Sequence, residues 1–310
     1  MVYIDDSIMQ KGVPATAGSK ILENFIAPID ATVVTRLNQE TRSFKMAEFG
    51  LGDPGELPAA PLLCNDIFGH VRSRAAKQGL CYIHPTYGTV SRFGLIPLAC
   101  SMDQIGIVCS TPAEGFALLS KIAGHDEKDG AMFAEKNYTY KAAAGELKWA
   151  AVLNPDIEKK FVEQITVYSD VYNDVFKILV YAELCNNISR YDGIKFGYRA
   201  ANYKGLEDLY LKTRTDGFGR EAKLAAIMGC LVLSQNYYEK YYDKAMKIRR
   251  LIKESLRFDK YDIIAMPVNC PLAELAGLPS LTFSHNGKSI QLAAEVKNEN
   301  ALFSAWENLK

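Results

Sequence analysis

The stretch LPSLTFSHNGKSIQLAAEV, residues 278–296, decides how the chain is read. Two apolar runs flank Asn286-Gly287, and Asn-Gly is the strongest short hairpin signal, because both residues tolerate the positive φ that a tight turn demands. The segment therefore predicts two strands paired through a turn. Just upstream, YDIIAMPV (261–268) is a continuous apolar run rich in β-branched residues, the pattern of a buried strand. LCYIHPTYG (80–88) is a further short buried strand, closed by Pro85 and a turn.

Helical patterns alternate with these strands. In TPAEGFALLSKIAG (111–124), Thr111 stands as N-cap, Pro112 at the first helical position and Gly124 just past the end. ILENFIAPIDATVVTRLNQ (21–39) spaces its apolar residues for a helix around a break at Pro28, with Asp30 as N-cap of the second half. Residues 156–190 carry long apolar periodicity, and residues 216–256 read as two helices, the second bearing Tyr237, Tyr238, Tyr241 and Tyr242 in a stripe expected to pack. GLGDPGELPAAPLL (50–63) has the Gly and Pro density of an irregular loop, and its glycines lack the GxxxxGK[ST] spacing of a phosphate cradle. Strands interleaved with helices along the whole length predict an α/β fold on a mixed β-sheet, one domain over residues 1–310.

Composition narrows the function. With 310 residues and 48% hydrophobic content the chain can bury a sizeable core. Lys plus Arg and Asp plus Glu number 36 each, so no net field draws it to nucleic acid or acidic membranes. Seven cysteines without a CxxC pair predict reduced, mostly buried thiols in a cytoplasmic protein. MVYIDDSIMQKG lacks a basic region leading into an apolar run, and no apolar window is long enough for a membrane helix, so neither export nor a membrane is expected. Cys64, Asp66, His70, Cys81 and His84 are metal-ligand types without a recognised spacing, and they predict no metal site.

Seven segments, in order, carry a resemblance. They are KGVPATAGSKILENFIAPIDATVV (11–34), HPTYGTVSRFGLIPLACSMDQIG (84–106), KIAGHDEKD (121–129), ISRYDGIKFGYRA (188–200), LYLKTRTDGFGREAK (209–223), YYEKYYDKAMKIRRLI (237–252) and LAGLPSLTF (275–283). They resemble the amidase signature family, and within it the A subunits of the glutamyl-tRNA(Gln) amidotransferases. The resemblance implies a mixed β-sheet core covered by helices on both faces, and a Ser-cis-Ser-Lys triad with no cofactor. In that chemistry a Lys kept neutral by burial takes the proton, through a second Ser, from a Ser nucleophile that attacks an amide.

Residue by residue, the triad is missing. Asp5 stands where the family has its Lys, and the Gly/Ser-rich loop bearing the second Ser has no counterpart between Phe49 and Cys64. The nucleophile's segment becomes NDIFGHVRSRA (65–75), which keeps Asp66, Gly69, Arg72 and Ala75, puts His70 in place of the Ser, and crowds a small turn with Ile67 and Phe68. The family's glutamine-binding Arg aligns with Ala225, and a late segment bearing an acidic substrate contact is absent. These losses imply a catalytically inactive binding or scaffolding subunit, with partners resembling the family's B and C subunits and tRNA reached only through them. The alternative is an active amidase or amidotransferase component that relies on His70, Asp66, Arg72 and Asp5. Phe68 and the shortened loop are expected to fill the old cleft.

Overall fold

In the computed structural model, which describes residues 1–59, 61–142 and 145–309, the chain runs β1 (Val2–Asp5), α1 (Thr32–Leu37), β2 (Thr41–Phe44), β3 (Leu62–Asn65), α2 (His70–Lys77), β4 (Cys81–His84), β5 (Ile105–Cys109), α3 (Pro112–Ile122), β6 (Trp149–Val152) and β7 (Phe161–Ile165). It continues α4 (Tyr172–Ile188), α5 (Gly205–Gly217), α6 (Arg220–Leu233), α7 (Lys244–Ser255), β8 (Ile263–Pro267), α8 (Leu272–Ala276), β9 (Ser280–His285), β10 (Lys288–Ala294) and α9 (Glu299–Glu307).

All of these strands join one sheet, ordered β2-β1-β3-β5-β4-β9-β10-β8-β6-β7. Pairing is parallel at both ends and antiparallel through the middle, so the sheet is mixed as expected. The hairpin forms as read: His285 pairs with Lys288, and Asn286 and Gly287 both take positive φ, 50° and 75°.

Alternation along the strands gives the sheet two apolar faces. Ile4, Leu63, Ile83, Ile107, Leu281 and Leu292 face one way, against α1, α3 and α9. Toward the other side, Leu62, Cys64, Tyr82 and Val108 pack with Val71 and Ala75 of α2, while Ala150, Ile264, Met266 and Ala293 meet α4, α7 and α8. Helices therefore cover both faces. The helix α3 carries the expected punctuation, with Thr111 Oγ1 accepting from Glu114 N at 3.3 Å.

Four sequence expectations are corrected. Asp30 does not cap α1; its carboxylate accepts from Lys11 N instead, and Ala31 occupies the N-cap with no side-chain bond. Residues 21–28 contribute no α-helix, because Pro28 leaves only one short turn at Lys20–Leu22. In residues 156–190 the apolar pattern covers the edge strand β7 as well as α4, since alternation over five residues and helical spacing overlap in so short a run. Tyr237 and Tyr238 are exposed, and each packs on the tyrosine one turn later, at 5.7 Å and 5.2 Å between ring centres, rather than entering the core.

Gly94, in the SRFG turn, has φ +86°, and a Cβ there would come within 2.4 Å of Ala31 Cα. The turn also holds two chain crossings, Met9 N to Gly94 O and Thr32 N to Phe93 O. Gly94→Ala is therefore expected to lower stability by about 2 kcal/mol or more, read as a drop in the urea midpoint with an unchanged slope.

Candidate functional site

The positions singled out by sequence lie at the C-terminal ends of two neighbouring parallel strands. β1 ends at Asp5 and β3 at Asn65, paired in the register Tyr3 to Leu62 and Ile4 to Leu63. From Asn65 the chain turns through Asp66–Gly69 into α2, whose first residue is His70.

The turn is set by Asp66. Its two carboxylate oxygens accept from Val71 N at 3.0 Å and Arg72 N at 2.9 Å, satisfying donors that the start of a helix leaves unpaired. Gly69 adopts φ +79°, and a Cβ on it would come within 2.9 Å of the Arg72 guanidinium. That guanidinium is fully buried. It donates to Glu274 on α8, to Val268 O at 3.0 Å and to Asp66 O at 3.3 Å, and lies 3.7 Å from the Asp66 carboxylate. Burial raises the Glu274 carboxyl, and Arg72 opposes that shift.

Positions 5 and 70 meet different fates. His70 is exposed in the first turn of α2, its ring 6.4 Å from that of Phe68. Asp5 is buried, and its carboxylate accepts from Ser7 N and Ser7 Oγ, both at 2.9 Å, and from Asn65 N at 3.4 Å. Burial, with Asp6 alongside, pushes the Asp5 carboxyl up to about 7 against those hydrogen bonds. Asp6 itself joins two segments, accepting from Thr16 Oγ1, from Gly18 N at 3.2 Å and from Met46 N at 3.3 Å. Asn65 reaches across to Asp103 at 2.7 Å, and Asp103 also accepts from Leu98 N and Ala99 N.

Between these groups lies a cavity of about 20 Å³, lined by Asp5, Ser7, Phe49, Asn65, Ile96 and Leu98 among others. That volume holds about one water. Phe49, one of the cavity's lining residues, is buried and lies parallel to the Tyr191 ring at 6.2 Å, with a backbone φ of +47°. Phe68 packs instead on Phe176 and Tyr181 of α4.

Ala225 is buried on α6 against the core and offers no polar group. The five metal-ligand types do not converge, since Cys64 and Cys81 belong to opposite faces of the sheet and His70 is exposed. His84 is buried on β4, and burial followed by the Arg72 charge lowers its pKa to about 3, leaving it neutral. What sequence reasoning missed is Glu274: it follows Arg72 by 202 residues, and no local pattern links them.

Two measurements check these assignments. Arg72→Met leaves Glu274 and Asp66 without their cation and is expected to cost about 3–5 kcal/mol of stability, whereas Arg72→Met with Glu274→Leu should recover much of that loss in a double-mutant cycle. Asp5, raised from 3.8 to about 7, keeps in the fold a proton that the unfolded chain releases, so its contribution to stability is full below pH 4 and lost as pH rises through 7. Urea midpoints taken from pH 4 to 8 should therefore fall more steeply for the wild type than for Asp5→Asn.

Comparison with known proteins agrees with this architecture. The amidase family profile matches residues 61–152 and 156–295. The A subunit of the glutamyl-tRNA(Gln) amidotransferase of Lachnoclostridium phytofermentans is 32% identical over 337 aligned positions, covering 89% of this chain and 68% of that protein. Its namesake in Nitrosomonas europaea is 34% identical, covering 86% and 68%. The crystal structure of the glutamyl-tRNA(Gln) amidotransferase A subunit from Thermotoga maritima superposes with a TM-score of 0.72 at 24% identity, over 98% of this chain and 81% of that one. The chain belongs to the amidase signature family and resembles its amidotransferase A subunits.

Proposed function

We propose that this chain is a catalytically inactive amidase-fold protein that works as a binding or scaffolding subunit, folded as one domain over residues 1–310. The observation that carries the reading is the one-water cavity at Asp5: about 20 Å³ leaves no room for an amide substrate, and a buried carboxyl stands where the family's chemistry needs a proton-accepting amine. Nor is the exposed His70 a replacement nucleophile held by a base. Asp66, the acid that would orient it, has both oxygens committed to the α2 backbone.

A partner is supported by the outer helices. Leu211 on α5 and Ile227 on α6 are 68% and 66% exposed and line one open groove between these helices, and Leu206, Leu224 and Leu231 on the same pair are exposed as well, the kind of apolar surface that marks docking sites. The curated relatives are themselves components of an amidotransferase, which favours partners resembling its B and C subunits, with tRNA reached only through them.

The experiment is ammonia release from glutamine and asparagine, by the purified chain alone and with whatever co-purifies, beside His70→Ala. Neither protein is expected to release ammonia above buffer; release that disappears in His70→Ala would overturn the reading. Ile227→Lys is expected to abolish co-purification of the partner while leaving the unfolding free energy within about 0.5 kcal/mol of the wild type, as for other surface changes.

A further inference from the structure

Of the seven cysteines, four are buried and behave as the sequence predicts, but Cys100 and Cys230 are exposed and Cys185 is half-buried. Cys185 on α4 and Cys230 on α6 face each other with their sulfurs 3.3 Å apart. We propose that these two thiols form a reversible disulfide that staples α4 to α6.

The helix crossing is built for that bond. Gly229 precedes Cys230, and a Cβ on it would come within 2.2 Å of Tyr181 O and 2.4 Å of the Cys185 Cβ. Only a glycine lets the two helices approach so closely, and a disulfide needs Cα atoms within about 7 Å. The other adjacent pair makes the contrast. Cys81 and Cys109 sit opposite each other on β4 and β5, but both are buried and burial raises both thiols, to about 12 for Cys81, so neither supplies a thiolate to an oxidant.

At the α4–α6 crossing the roles divide. Burial, then the neighbouring thiol, pushes Cys185 up to about 11, so it remains a thiol at neutral pH, whereas Cys230 lies open to solvent. With hydrogen peroxide as oxidant, the Cys230 thiolate attacks one peroxide oxygen, the O–O bond breaks, and hydroxide leaves a sulfenic acid on Cys230. The Cys185 sulfur then attacks the Cys230 sulfur, and its proton leaves with the departing hydroxide as water. Two thiols lose two electrons, and the peroxide is reduced to two waters once the first hydroxide takes up the proton that Cys230 released.

The bond fixes the walls of an open groove of about 320 Å³ beside it, lined by Glu183 and Asn186 of α4 and by Leu233, Tyr238 and Tyr242 just beyond the pair on the α6 side. Reduction returns the helices to side-chain packing alone.

The test treats the full chain with a small excess of hydrogen peroxide, then alkylates under denaturing conditions and digests. The expected result is a loss of two thiols per chain, a Cys185–Cys230 linked peptide that dithiothreitol removes, and a Tm raised by a few degrees on oxidation. Cys185→Ser and Cys230→Ser should each abolish the link, and because Cys230 is exposed its variant should retain the reduced protein's Tm. Oxidation of Cys230 to a sulfinic or sulfonic acid with Cys185 still free, chains joined to one another, or a link formed as readily at Cys81–Cys109 would each overturn the proposal.

Discussion

A single buried cation organises the centre of this molecule. Arg72 leaves α2 and ends among Glu274 of α8, the Val268 carbonyl just past β8, and both the carbonyl and the carboxylate of Asp66. A guanidinium taken out of water is tolerable only with its donors matched, so the elements that supply the acceptors must sit in one arrangement. Two stretches remote in sequence are thereby held at one point beneath the sheet: the turn after β3, and the run from the end of β8 into the short helix α8. One oxygen of Glu274 remains without a hydrogen-bond partner there, which makes the site sensitive to any loss of the arginine.

That constraint gives the residues of the turn into α2 a role of their own. Asp66 caps α2, Gly69 clears space for the guanidinium, and Arg72 makes the tie to α8; each would be required whatever residue stood at position 70. Position 70 itself is exposed to solvent and bears no such duty. These residues then need no chemistry to explain them, because the turn is also the joint between helix and sheet.

Much of the fold was legible because it is written in local chemistry. Asn286-Gly287 announces its hairpin through two positive φ values, and Thr111-Pro112 announces α3 through a hydroxyl aimed at a free N–H. Ordering the strands across the sheet was not legible, since β4 pairs on one side with its sequence neighbour β5 and on the other with β9, Tyr82 opposite Thr282, from the far end of the chain. Asp30 misled for a similar reason: its carboxylate found a donor at Lys11 from another segment, and local capping lost the competition. At the site, Asp5 and His70 could be singled out residue by residue, but not that one would be entombed and the other left in water. Nor could sequence show that Phe49 rather than Phe68 would lie against Tyr191, because that depends on the path of the segment around Met46, which Asp6 holds from a distant part of the chain. The Cys185–Cys230 approach was equally hidden, lying across a helix crossing opened by Gly229.

The ends of the sheet carry one further consequence. Its two outer strands, β2 and β7, are four and five residues long, and each sets a charged side chain among its residues, Arg42 on one and Glu163 on the other, the latter 3.6 Å from Lys260. Short charged borders discourage a neighbouring chain from extending the ladder of backbone hydrogen bonds. Assembly with another protein is thus steered away from main-chain pairing, which accepts almost any sequence, toward contacts made by side chains, which discriminate between them.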